Sequence, residues 1–364
     1  MNFNLDQLVR KNIKELKPYS SARQESSVEA ITTFLDANEN SYGSPLPRAY
    51  NRYPDPYQKD VKKSLSIIKN TGIDNIFIGN GSDEIIDLLT RIFCVPAGDN
   101  IIVCPPTYGM YEVCAKINDA EVRKINLQED FNLDVDGILK AVDEKTKLIF
   151  ICSPNNPTGN AMKREDIFQL LKNFNGIVVV DEAYINFSQQ KSFIAELEQY
   201  PNLIVLQTLS KAWGLAALRL GIGYASAELI SLMNKVKPPY NIGGAAQSLA
   251  SEALQNIAQV NEWIVQTTKE RDRFTKELEK LNEVEIVYPS EANFLLVKFK
   301  EAEKIYNHLI EKKIAVRNRS KDVHCNNCLR ISIGTPGEND LVINTMIEME
   351  KIVPTSTHLE NELS

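Results

Sequence analysis

Ile177-Val178-Val179-Val180-Asp181-Glu182-Ala183-Tyr184 joins an apolar run to an acid and, three residues beyond it, a tyrosine. The apolar part reads as a strand from Gly176 to Val180, which leaves Asp181 and Tyr184 just past its carboxyl end. From that edge of a sheet, the acid can ion-pair with a heteroaromatic N–H while the phenol hydrogen-bonds a ring substituent. Taken alone, the same residues would suit a helix N-cap and a packing aromatic. The segments around them decide between the two.

After the next expected strand, Leu203–Gln207, comes Thr208-Leu209-Ser210-Lys211-Ala212-Trp213-Gly214, with Arg219 eight residues past Lys211. Hydroxyls, one lysine and one arginine between two apolar strands suit a phosphate together with an amine nucleophile, whereas an isolated lysine would belong on the surface. Ser153-Pro154-Asn155-Asn156-Pro157-Thr158-Gly159 follows the strand Lys147–Cys152 and is too rich in Pro and Asn to be only a connector. Gly79-Asn80-Gly81-Ser82-Asp83-Glu84 follows the strand Ile76–Ile78 and opens a helix over Ile85–Phe93, so free N–H groups there suit a phosphate.

Further strands are expected at Asn100–Cys104, Glu121–Ile125 and Leu220–Ala225, mostly separated by stretches long enough for a helix. This alternation predicts a doubly wound α/β domain with a mostly parallel sheet and ligands at the carboxyl ends of its strands. A long helical stretch over Ala245–Leu281 then leads to strands near Val284–Val287, Asn293–Phe299, Ile314–Val316 and Leu329–Ile333, with a helix around Ala302–Lys312. That is the pattern of a smaller α+β domain. The expected division is an N-terminal arm at 1–45 that joins the small domain, a large domain at 46–255, a small C-terminal domain at 256–354, and a polar tail at 355–364.

The 364 residues are 43% hydrophobic and 24% charged, with a formal net charge of -7. An acidic balance argues against a nucleic-acid or membrane-surface partner. No apolar run reaches the length of a membrane span or a signal peptide, so the expected location is the cytoplasm. Cys94, Cys104, Cys114 and Cys152 read as reduced core thiols. Cys325 and Cys328, beside His324, have CxxC spacing without a second pair, so no metal is expected. The stretch Lys321–Asn327 reads as a polar hairpin turn.

Taken together, these segments resemble the fold-type I pyridoxal-phosphate (PLP) aminotransferases over nearly the whole chain, and most resemble the histidinol-phosphate aminotransferases. The likeness rests on Leu35–Asn40, Asn51-Arg52-Tyr53-Pro54-Asp55, Gly79–Glu84, Pro105-Pro106-Thr107-Tyr108-Gly109-Met110-Tyr111, Ser153–Gly159, Asp181–Tyr184 and Thr208–Arg219. It implies that Lys211 carries pyridoxal 5′-phosphate as a Schiff base and later shuttles the substrate proton. Asp181 would keep the pyridine nitrogen protonated, Asn156 and Tyr184 would hydrogen-bond the ring oxygen, and Tyr108 would stack on the ring. The cofactor phosphate would be held by the N–H groups of Ser82 and Asp83, the hydroxyls of Thr208 and Ser210, and Arg219. Tyr53 would reach that phosphate from a neighbouring subunit, which implies a homodimer with shared active sites.

For substrate, the resemblance points to Arg330, to Arg317, and to Tyr19 and Asn38 of the arm, with Tyr19 and Arg23 matching the pattern Pro-Tyr-x-x-Ala-Arg. Arg319 follows Arg317 closely enough that either could meet the substrate. The implied reaction moves an amino group between L-histidinol phosphate and 2-oxoglutarate, giving imidazole acetol phosphate and glutamate in histidine biosynthesis. Two arginines and a tyrosine suit a phosphomonoester in one half-reaction and carboxylates in the other. They also suit an aromatic amino acid aminotransferase. A PLP-dependent decarboxylase of a phosphorylated amino acid shares the fold and many of the motifs. A non-catalytic sensor would need a DNA-binding module, for which the N-terminus is too short.

Overall fold

The computed structural model describes residues 3–19 and 33–352. Arg23 and the tail at 355–364 lie outside the described residues. Seven strands form one sheet: β1 (Ile76–Asn80), β2 (Asn100–Val103), β3 (Glu121–Lys124), β4 (Thr146–Cys152), β5 (Ile177–Asp181), β6 (Leu203–Thr208) and β7 (Leu220–Ala225), in the order β1-β7-β6-β5-β4-β2-β3. The pairs β3–β2, β2–β4, β4–β5 and β5–β6 are parallel, while β7 runs antiparallel to both β6 and β1.

The centre of this sheet is apolar on both faces because helices cover both faces. Along β5, Val178 and Val180 enter one core, with Ile149 and Ile151 of β4, while Ile177 and Val179 enter the other, with Leu148 and Phe150. Asp181, the last residue of β5, is the first polar residue the strand presents, and it emerges in register with Cys152 at the end of β4. All six cysteines are buried, free thiols.

A second, antiparallel sheet has the order β10-β11-β9-β8, from β8 (Val284–Val287), β9 (Phe294–Phe299), β10 (Arg317–Asn318) and β11 (Cys328–Ser332). Its own core joins Leu295, Val297, Leu329 and Ile331 to Phe274 and Leu278 of the helix Ile257–Leu278, to Ile305 and Leu309, and to Val342 and Met346. The long helical stretch expected over Ala245–Leu281 is two helices, Gly244–Ala253 and Ile257–Leu278, separated by one 3-10 turn at Leu254–Asn256. The short strand expected at Ile314–Val316 forms instead at Arg317–Asn318. Ile314 and Val316 pack against the small core and leave the pairing edge to the residues after them.

The polar turn between β10 and β11 closes on two backbone bonds, Cys325 N–H to the Asp322 carbonyl and Cys328 N–H to the Cys325 carbonyl, each 3.0 Å. Its two thiols point inward, joining the large-domain core cluster beside Leu296.

Candidate active site

The carboxyl ends of β4, β5 and β6 and the start of the helix Ser82–Phe93 meet around one small cavity. Among its walls are Ser82, Asp83, Tyr108, Asn156, Asp181, Tyr184, Thr208, Ser210, Lys211 and Arg219. These are ten of the residues singled out from sequence, drawn from five separate segments.

Asp181 is 3% exposed. Its Oδ2 accepts the Tyr111 hydroxyl at 2.7 Å and its Oδ1 accepts the Ala183 N–H at 3.1 Å. Burial pushes its carboxyl up to about 6; the two hydrogen bonds and Lys211 pull the other way, and Asp83 pushes it further up. At neutral pH it remains an anion, buried at the floor of the cavity. Such a site favours a cationic partner. Tyr111 itself is fully buried and stacks on Phe150 with ring centroids 4.8 Å apart.

Lys211 opens onto this cavity with its Nζ 5.6 Å from the centre of the Tyr184 ring. Desolvation lowers the pKa of its ammonium, Arg330 and Arg219 lower it further, and Asp181 and Asp83 oppose them. A lysine whose neutral form is favoured in this way is a better nucleophile and base than one in water.

Tyr108 donates to Asp83 Oδ1 at 2.9 Å, which fixes its ring over the cavity. Asn156 donates from Nδ2 to the Tyr184 hydroxyl at 3.4 Å, while its Oδ1 accepts Arg330 Nη1 at 2.5 Å. Arg330 therefore crosses from β11 of the small sheet to the large-domain loop, and its guanidinium lies 5.2 Å from the centre of the Phe294 ring.

The opposite wall is built to receive an anion. The first N–H groups of a helix have no partner within it, and here they belong to Ser82 and Asp83. Gly81, at φ +77, turns the chain from β1 into that helix, and its N–H donates to the Arg219 carbonyl at 2.7 Å. Gly221 makes the close approach possible: a Cβ there would stand 2.2 Å from Ser82 N. Arg219 is held in a left-handed conformation at φ 55, with its Nη2 3.8 Å from Asp83. Strained backbone of this kind collects at ligand sites. Thr208 donates to the Leu220 carbonyl at 3.2 Å and accepts the Ser210 N–H at 3.0 Å, joining the β6 end to the same cradle.

Two contributors lay in quoted motifs without a role. Tyr111 is the second tyrosine of Pro-Pro-Thr-Tyr-Gly-Met-Tyr; its spacing of three from Tyr108 on a helix start was the available signal. Asn155, fully buried, donates from Nδ2 to the Pro106 carbonyl and to Thr158 Oγ1, both at 2.8 Å, and accepts Thr107 Oγ1 at 3.1 Å. It ties the loop carrying Tyr108 to the loop carrying Asn156.

Five of the singled-out residues do not line this cavity, and one of them, Arg330, touches its wall through Asn156. Tyr53, 51% exposed, stacks on Tyr240 at 4.5 Å and lines a separate cleft with Asn38, which has φ 54. Tyr19 is 73% exposed and lines another cleft with Lys62 and Lys237. Arg317 is exposed on β10, opposite Arg330 in the pairing register.

A carboxylate at one end, an amine in the middle and an anion cradle at the other match three groups of pyridoxal 5′-phosphate: its ring nitrogen, its aldehyde and its phosphate. The family model for aminotransferase class I and II matches residues 29–346. A histidinol-phosphate aminotransferase of Cytophaga hutchinsonii is 52% identical over 347 residues, covering 95% of this chain and 99% of that relative. The structure is similar to that of the histidinol-phosphate aminotransferase from Clostridium acetobutylicum, with a TM-score of 0.77 and 26% identity over 84% of this chain and 92% of the other. It also shares its fold with the Sinorhizobium meliloti histidinol-phosphate aminotransferase solved in complex with pyridoxal-5′-phosphate, with a TM-score of 0.76 and 24% identity over 87% and 90% of the two chains.

Proposed function

The chain belongs to the aminotransferase class I and II family, and on that premise we propose that it is a histidinol-phosphate aminotransferase using pyridoxal 5′-phosphate. It moves an amino group between L-histidinol phosphate and 2-oxoglutarate, giving imidazole acetol phosphate and glutamate, in histidine biosynthesis. The observation that carries this reading is the single cavity that brings the Lys211 amine between the buried Asp181 carboxylate and the Ser82 helix end. When bound, the cofactor supplies an electron sink for the bond being broken at the substrate carbon.

Every other part of the work falls to the chain. Asp181 would hold a proton at the pyridine nitrogen, which its ionised state at neutral pH allows. Lys211 would carry the cofactor and move the substrate proton, helped by a lowered pKa. Asn156 and Tyr184 would hold the ring oxygen, with Arg330 fixing which way the Asn156 amide points. Tyr108 would cover one ring face. The N–H groups of Ser82 and Asp83, with Thr208, Ser210 and Arg219, would hold the phosphate. Arg330 would also meet the acidic group of either substrate, with a second arginine from the pair Arg317 and Arg319.

Tyr53, Asn38 and Tyr19 are assigned to the site of a second copy. Their exposure, in clefts other than the one lined by Lys211, supports a homodimer with shared active sites. We place the domain boundary at the turn Leu254–Asn256, between residues 255 and 256. Among the described residues no helix is long and apolar enough to cross a membrane, and the proposed location is the cytoplasm.

The test is a half-reaction assay on the purified holoenzyme, following conversion of the cofactor to its amine form with histidinol phosphate, phenylalanine, tyrosine and glutamate in parallel. Histidinol phosphate and glutamate should react fastest. A faster response to phenylalanine or tyrosine would make the enzyme an aromatic amino acid aminotransferase, and carbon dioxide release without a keto product would make it a decarboxylase.

A further inference from the structure

Glu182 directly follows Asp181 and is 1% exposed, yet it does not line the Lys211 cavity. The two carboxylates point to opposite faces of the large sheet, as successive residues of a strand do. Asp181 takes the hydroxyl of Tyr111, which belongs to one core, and Glu182 takes the N–H of Phe193, which belongs to the other. The same alternation separates Gln207 from Thr208 at the end of β6, since Val205 shares the core of Phe193 and Leu206 that of Tyr111. Glu182 and Gln207 therefore meet behind the sheet, next in the chain to Asp181 and Thr208.

Among the described residues, three neutral donors converge on Glu182. Its Oε1 accepts the Phe193 N–H at 2.6 Å, and its Oε2 accepts the Ser192 hydroxyl at 2.5 Å and Gln207 Nε2 at 2.9 Å. Gln207 Nε2 also lies 3.3 Å from Ser192 Oγ, which closes a triangle. Burial pushes the Glu182 carboxyl up, while these three bonds and Lys69 pull it back down. In the pairing register Asp181 is opposite Leu206, and the Glu182 N–H donates to the Leu206 carbonyl at 2.7 Å. Beyond that point the two chains part, one into Ala183 and Tyr184, the other into Thr208–Lys211. The Glu182–Gln207 bond ties them side to side where they part, and Ser192 anchors the chain that leaves from Tyr184.

We propose that Glu182 is a positioning residue for the cofactor site: through Gln207 and Ser192 it fixes the spacing between Asp181 and Tyr184 on one strand end and Thr208–Lys211 on the other. This rests on the reading of the cavity as the site of pyridoxal 5′-phosphate. Glutamine cannot take the place of Glu182, because a carboxylate accepts at both oxygens and an amide at only one. Its NH2 group would face either the Phe193 N–H or the Gln207 NH2. Exchanging the two side chains removes that conflict, with an acceptor on β6 and a donor at residue 182.

The test compares purified holoenzyme of wild type with Glu182→Gln, with Gln207→Leu, with the exchange Glu182→Gln/Gln207→Glu, and with Glu270→Gln as a control for lost stability. Glu270 is also a buried carboxylate, but its partners are Arg273 at 2.6 Å and Asn339 at 2.8 Å, on the helices Ile257–Leu278 and Pro336–Ile352. The readings are kcat and KM with glutamate, the visible circular dichroism of bound cofactor, which reports how the ring is held, and melting of the apoprotein. Glu182→Gln and Gln207→Leu should cut kcat about ten- to hundredfold with KM within about threefold of wild type, the pattern of misplaced reacting groups. Both should change the visible dichroism band. The exchange should bring kcat back to within about fivefold of wild type, because the two positions are coupled. Glu270→Gln should lower the melting temperature and leave kcat within about threefold. A lower melting temperature in Glu182→Gln with kcat and dichroism unchanged would make Glu182 merely structural and overturn the proposal. So would an exchange no better than Glu182→Gln, or an equal loss of kcat in Glu270→Gln. If Glu182→Gln does not fold, Gln207→Leu decides on the same readings. If wild type itself shows no visible cofactor band and no amino transfer, the reading of the cavity falls and takes this inference with it. If wild type shows both and the variants match it, only the role of Glu182 falls.

Discussion

Tyr111, from the helix Met110–Ile117, donates its hydroxyl hydrogen to Asp181 at the end of β5 across 2.7 Å, in a pocket where both residues are buried. The bond lowers the Asp181 pKa against the upward pull of burial. In Tyr111→Phe the ring keeps its stack on Phe150 while the carboxylate loses one of its two donors. The carboxyl should then titrate higher, and affinity for pyridoxal 5′-phosphate should drop about tenfold, in line with about 1.4 kcal/mol for a hydrogen bond to a charged group. Reconstitution of apoenzyme with increasing cofactor measures this; an unchanged affinity would show that Asp181 does not depend on Tyr111.

Apoprotein stability should carry the signature of Asp181. Its folded pKa of about 6 lies above the value of about 3.9 for an unfolded aspartate. A raised folded pKa gives stability that is fully present below about pH 4 and is lost as the pH rises through about 6. Between pH 4 and pH 7 the wild-type apoprotein should therefore lose roughly 2–3 kcal/mol relative to Asp181→Asn. Denaturant melts at several pH values read this directly, and a pH-independent difference between the two proteins would contradict the burial argument.

Lys211→Ala should abolish the visible absorbance of lysine-linked cofactor and cut turnover by about a hundred- to ten-thousandfold, the range of a lost general acid–base group. Absorbance spectra and a coupled glutamate assay give the two readings. Turnover within tenfold of wild type would remove Lys211 from the chemistry.

Gly221→Ala tests the cradle from behind. The new Cβ would fall 2.2 Å from Ser82 N, against backbone that cannot swing aside. Overpacking of this kind costs about 1–3 kcal/mol, and the displaced helix end should also weaken cofactor binding. Thermal melting of holo and apo forms separates the two effects; a variant that melts like wild type in both would show that the approach is looser than the geometry says.

The proposed sharing of sites between two copies predicts complementation. Lys211→Ala and Tyr53→Ala proteins, each of low activity alone, should regain activity when unfolded together and refolded as a mixture, because one site of each hybrid dimer would then have both side chains intact. No gain on mixing would place Tyr53 outside the site.

The sequence made most of the large sheet legible because its strands are continuous apolar runs ending in polar motifs, as at Val180-Asp181 and Cys152-Ser153. The reversed direction of β7 was not legible: Leu220–Ala225 has the same composition as its parallel neighbours, and strand direction depends on connections that leave no local mark. β10 was misplaced by a few residues since Ile314 and Val316 look strand-like but serve the small core. Tyr111 escaped a role because an aromatic early in a helix ordinarily packs, and only the partner 70 positions away turns it into a donor. Lys211, Asp181 and Asn156, which meet in one cavity, could be singled out because each stands in a short motif just past a strand, where a doubly wound sheet collects ligands.

The cradle formed by Gly81, Ser82 and Arg219 has a consequence for the order of events on the ribosome. Among the described residues β1 is an edge strand whose sole neighbour is β7, with Gly79 opposite Gly221 and Asn80 opposite Leu220. The Gly81 turn takes its backbone partner from Arg219. A nascent chain therefore has no cofactor cradle until β7 has emerged, well past the midpoint of translation, and β1 must wait unpaired until then. Cofactor capture is thus a late checkpoint in the making of this enzyme, reached only by chains that have paired the first strand of the large sheet with the last.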